Sequence, residues 1–161
     1  MQKYRNNGAI GALLDEYEKA IGELKTVLAD VSPNELTTIV DHKTEDPDCK
    51  SIQTILTHVI RSGYCYIIEI RRHLNEKIEF VEREILLSVE EYQEELVNMF
   101  RYSERLFDDY PNLNLETMEN DKKMIVRWGQ VYDVEQLFEH AIVHILRHRR
   151  QIERYLIELR K

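Results

Sequence analysis

Glycine and proline are scarce, at five and three in 161 residues. A sheet-rich fold with many tight turns needs more of both, so their scarcity disfavours one. Cysteine is scarcer still: Cys49 and Cys65 stand alone. Two such residues do not make a disulfide framework, and a reducing, cytoplasmic compartment is the expectation. No apolar run approaches the roughly 20 residues of a membrane-spanning helix, so a membrane is not an expected partner. Asp15 and Glu16 interrupt the N-terminal segment, which lacks the apolar core of a signal peptide. Positive charge is also in deficit, with 22 basic against 30 acidic residues and a net charge of −8. General binding to a phosphate backbone needs a basic face, so nucleic acid is not expected either. The short basic runs at 71–73 and 147–150 read as solvated helix faces.

The chain does have four long amphipathic segments. An apolar fraction of 43% and a charged fraction of 32% suit one soluble globular domain over 1–161. The first helix is predicted from Ala9 to Asp30, with Ile10, Leu13, Leu14, Tyr17, Ile21, Leu24 and Leu28 at steps of three and four. Pro33 stops it, and Ser32 to Glu35 caps one short turn. The second long helix starts at Ser51 as N-cap and runs to about Leu74. The third opens on a capping box, Ser88 with Glu91, and ends before Pro111. The fourth opens on Asp133 with Gln136 and runs to the C-terminus. Residues 38–50, 75–87 and 111–132 read as connections, with no convincing strand. The expected fold is therefore all-α, a single four-helix bundle with long connections.

Six histidines are present, and three of them, His140, His144 and His148, stand at four-residue spacing on the last helix. Neighbours in that series lie about 40° apart around the helix, close enough to share an ion. The outer two are about 12 Å apart along the axis and cannot share one. Val134, Phe138, Ala141, Ile145, His148, Ile152, Tyr155 and Leu159 form the buried seam, which includes His148. His144 flanks this seam in the lane of Gln151. His140 falls about 80° from His148 in a lane that reads as solvated. The inward pair is therefore His144 with His148. A third ligand must come from another helix. His58 is the leading candidate, at the edge of the second helix's apolar stripe, and Cys65 in the same lane is the alternative. His42 and His73 fall in a connection and at a helix end, and read as solvated. A lone HxxxH spacing names no reaction, and a satisfied histidine on an apolar seam is its ordinary meaning.

The stretch His144-Ile-Leu-Arg-His148-Arg149-Arg150-Gln151-Ile152 resembles the HxxxHRxQI signature on the last helix of the DinB/YfiT-like superfamily. His58, within SIQTILTHVI, resembles that superfamily's first metal histidine on its second helix. The resemblance implies a four-helix bundle holding a divalent ion, zinc or nickel above all, on His58, His144 and His148. Gln151 matches the signature as a residue behind the ligands. It implies transfer of a low-molecular-weight thiol to an electrophile, or metal-assisted hydrolysis, on a small-molecule substrate, and a homodimer. No general base is evident: Glu139 points away, and Glu69 is about three turns from His58.

The alternative is a non-catalytic, metal-stabilised bundle acting in interaction or stress response. Trp128 and Tyr132 either wall a pocket beside the ion or pack the 111–132 connection onto the helices. Tyr64, Ile67, Ile68, Leu156 and Ile157 lie outside the main seams and read as extra apolar faces for a dimer. Acid should release the ion, because free imidazole takes a proton near pH ~6.5.

Overall fold

A computed structural model describes residues 4–161. The described chain is mostly helical. Helix α1 spans Gly8–Leu28, α2 Pro33–Thr37, α3 Ile52–His73, α4 Val89–Asp109 and α5 Val134–Leu159. The capping residues set these limits. Ser32, Ser51, Ser88 and Asp133 each accept a hydrogen bond from the backbone N–H three residues on. In each case the side chain there returns a bond to the cap's own N–H. These reciprocal bonds satisfy amide groups that the first helical turn leaves without partners. At about 1.5 Å per residue, the 26 residues of α5 reach roughly 39 Å.

Each long helix packs against two others: α1 against α4 and α5, and α3 against α4 and α5. Buried residues from all four form one core. At its centre the Tyr17 ring meets Phe100 and Phe138 edge-on, with centroids 5.8 and 6.5 Å away. The close approach of α3 and α4 depends on Gly63. A Cβ built there lies 2.0 Å from Met99 Sδ, and Met99 is fully buried. Gly63→Ala should therefore overpack this contact and cost about 1–3 kcal/mol, read as a lower midpoint in thermal unfolding. An unchanged midpoint would show that Met99 moves aside freely.

Three expectations need correcting. First, residues 111–132 are not wholly irregular. Met124–Ile125 (β1) pairs antiparallel with Val131–Tyr132 (β2), Met124 opposite Tyr132. Two-residue strands are too short to leave a period in the sequence. The turn between them depends on Gly129, whose φ of +85° suits glycine. Second, Ile67, Ile68 and Leu156 are not surface residues: they are 2%, 1% and 7% exposed. Helix α3 is covered on more than one side. Besides α4 and α5 it meets the 75–87 connection, through Gln53 Nε2 to the Leu86 carbonyl (2.8 Å) and Arg72 over the Phe80 ring (4.9 Å). Of the apolar residues set aside for a dimer, Ile157 alone is well exposed.

Third, His140 is half-buried rather than solvated. Tyr66, Trp128 and Tyr132 surround it, with ring centroids 5.2, 6.0 and 5.5 Å away. The β1–β2 hairpin, folded against α3 and α5, brings two of those rings there. Both cysteines are free. Among the described residues, no helix is long and apolar enough to cross a membrane.

Candidate metal centre

His144 and His148 stand one turn apart on α5, and both are buried, at 8% and 1% exposure. His58 reaches them from the second turn of α3 and is half-buried. The three Nε2 atoms converge. His58 Nε2 is 3.0 Å from His144 Nε2, and His148 Nε2 is 3.2 Å from it. At a zinc–nitrogen length of ~2.0–2.1 Å, tetrahedral coordination sets neighbouring nitrogens about 3.3 Å apart. The spacing therefore fits a single small cation. Among the described residues, these histidines form the one group of three or more metal-ligating side chains that could hold an ion. Neither Cys65 nor His42 belongs to it, and His140 is likewise outside it.

The partners of the far ring nitrogens decide which Nε2 atoms carry lone pairs. Tyr155 donates its hydroxyl proton to the carbonyl of Cys49, a group that can only accept. The phenol oxygen then accepts from Gln151 Nε2 at 3.4 Å, which turns Gln151 Oε1 toward His148 Nδ1 at 3.0 Å. His148 Nδ1 thus carries the proton, and its Nε2 is an acceptor. On the other side, His58 Nδ1 donates to Asp48 Oδ2 at 3.2 Å, so in the neutral ring His58 Nε2 is also an acceptor. Two lone pairs therefore face His144 Nε2. A proton on that atom satisfies one of them, whereas a cation satisfies all three nitrogens. Carboxylate and amide partners behind the ligands are the usual means of fixing metal-binding imidazoles.

Burial pushes the His144 imidazole down to about 2, with further lowering from His148 and His58. Burial also pushes His148 down to about 4, and electrostatic interaction with the neighbouring His58 ring acts in the same direction. Both rings are therefore neutral well below pH 6.5. This corrects the expectation that acid competes for these two ligands near the ordinary imidazole value.

A cavity of about 510 Å³ opens beside the centre. His58 and His144 form part of its wall, with Tyr66, Trp128, Arg61 and Arg147 around them. Its volume is within the range of small-ligand sites. Tyr66 is buried and meets His144 edge-on at 5.7 Å. Trp128 lines the cavity and also packs on Tyr66, so it serves both roles considered for it.

Sequence reasoning missed Asp48. It stands on a short 3₁₀ turn, Pro47–Cys49, in which the Asp46 side chain accepts a hydrogen bond from the Asp48 N–H. Its other oxygen, Oδ1, lies 2.5 Å from Arg83 Nη1, an ion pair without hydrogen-bond alignment. A carboxylate in a connection has no helical period to reveal its direction. The Asp46-Pro47-Asp48 turn was the available signal. Glu69, far from the ligands, accepts from the Arg127 backbone N–H. No known family model matches the chain, and no curated protein is significantly similar to it.

Proposed function

We propose that the chain is a divalent-metal enzyme built as a single four-helix bundle of the DinB/YfiT-like kind. It acts on a small molecule by thiol transfer to an electrophile or by hydrolysis. One observation carries this reading: three Nε2 atoms from two helices meet at bonding separation for one cation, with two of their tautomers set by Asp48 and Gln151. His58, His144 and His148 are the ligands, and neutral imidazoles suit zinc and nickel. Three protein ligands leave a position for substrate, and the adjoining cavity gives access to it. A bound divalent ion supplies Lewis acidity, lowering the pKa of a coordinated thiol or water.

The protein's own groups do the remainder. Asp48 and Gln151 hold the imidazoles in the ligating tautomer. Tyr66, buried edge-on against His144, limits water on the cavity side. The test begins with elemental analysis of the purified chain. A panel of thiols with electrophiles, and of activated esters, is then assayed with and without metal. Turnover should require metal and disappear in His148→Ala. Absence of turnover with the metal fully bound would favour the non-catalytic, metal-stabilised bundle.

A further inference from the structure

The cavity beside the three histidines has a charge opposite to that of the whole chain. Acidic residues outnumber basic ones by eight overall, yet the cavity wall has four arginines and one carboxylate, Asp48. The arginines come from separate parts of the sequence: Arg61 from α3, Arg83 from the 75–87 connection, Arg127 from the β1–β2 turn and Arg147 from α5. Arg83 is matched by Asp48. Among the described residues, Arg61, Arg127 and Arg147 form no ion pair, although the chain has acids to spare. Arg61 Nε is buried, and among the described residues no protein group accepts a hydrogen bond from it. A buried guanidinium donor without a protein acceptor favours a ligand that supplies one.

The unpaired charges fall in two places. Arg61 and Arg127 line the cavity together with Cys65, whose thiol burial pushes up and these two cations pull back, and the Arg127 guanidinium also lies over the Phe80 ring at 4.5 Å. Arg147 is one turn from His144 on the cavity wall, and its charge acts on His140, His144 and His148. Guanidinium forks match the planar oxygens of carboxylate and phosphate.

We propose that the cavity binds a small organic dianion, with one acid group on Arg61 and Arg127 and a second beside Arg147 at the histidine centre. This inference deepens the metal-enzyme reading by naming the charge class of its substrate, and it is tested without metal or turnover. The acid groups are carboxylate or phosphate.

The experiment is calorimetric titration of the metal-free full chain with succinate, with inorganic phosphate and with neutral succinamide. Succinate or phosphate should bind, with affinity falling as salt is raised, and succinamide should not. Arg61→Gln and Arg147→Gln should each weaken anion binding about tenfold or more, the scale of one lost charge-assisted contact. Arg127→Gln changes an exposed residue and gives a second readout should Arg61→Gln fold poorly. Arg101→Gln, an exposed arginine of α4, should change nothing. Equal binding of succinate and succinamide, no anion binding at all, or the same loss in Arg101→Gln would overturn the proposal. Failure to take up metal would overturn the metal reading alone, because anion binding is measured without it.

Discussion

Alanine at His58, His144 or His148 is expected to empty the metal centre, with a loss of affinity above roughly 100-fold in each case. Each substitution leaves two neutral imidazoles, a set that holds a divalent ion poorly against dialysis. The three Nε2 atoms converge, 3.0 and 3.2 Å from neighbour to neighbour, and among the described residues no other metal-ligating side chain joins them to take a vacated place. His140→Ala should keep full stoichiometry. That ring stacks on His144 at 6.2 Å and shares a hydrogen bond with Tyr132, but it does not belong to the converging set. Gln151→Leu should fall between these limits, at about 10–100-fold, because it removes the acceptor that orients His148 and leaves the ligand in place. The measurement is bound metal per chain against a competing chelator at neutral pH, with circular dichroism to confirm folding. Loss in His140→Ala with retention in His148→Ala would mean that the other pair on α5 binds. Full retention in all three ligand variants would place the ion elsewhere.

The ordering of these variants could be anticipated where helical periodicity applied. Ser51, Ser88 and Asp133 marked helix starts because side-chain capping is local and needs no tertiary information. His148 was legible as buried because it continues the seam of Ala141, Ile145 and Ile152. His58 was placed only at the edge of the core, since the inclination of α3 against α5 is not encoded in either helix alone. The missed groups fall mostly where no period exists. Asp48 and Arg83 lie in connections, and Arg127 in a two-strand hairpin. Their convergence is a product of chain crossings. His140 was misjudged for the same reason: the hairpin that covers it brings Trp128 and Tyr132 from outside the helix. The resemblance to the DinB/YfiT-like signature pointed to the same pair on α5 as the seam, and the structure brings those two rings together with His58.

Acidification of the metal-free protein should reduce its stability before its carboxylates titrate. His148 is held down to about 4 in the folded chain, and His144 is lowered further by burial and by its imidazole neighbours. In the unfolded chain both return to about 6.5. Between these values the unfolded state binds protons that the folded state excludes. Stability therefore rises with pH across this window and is lost as pH falls from 6.5 toward 4. Each histidine that stays neutral in the fold contributes a slope of about 1.4 kcal/mol per pH unit. Unfolded carboxylates titrate near ~3.9–4.3, so the interval from pH 6.5 to 5 isolates the imidazoles. The check is urea denaturation of the metal-free chain at several pH values in that interval, beside His148→Leu. The variant removes a titrating ring from a site with 1% exposure and keeps an apolar side chain in its place. Its slope should be shallower by about one proton, whatever its absolute stability. Equal slopes would mean that His148 takes up its proton within the folded protein. A bound ion changes the balance by favouring the folded state through mass action. Because burial already keeps His144 and His148 neutral, metal uptake at pH 6 requires no net release of a proton from either ring. Metal loading of these two ligands should therefore persist at a pH where a solvated imidazole is mostly charged.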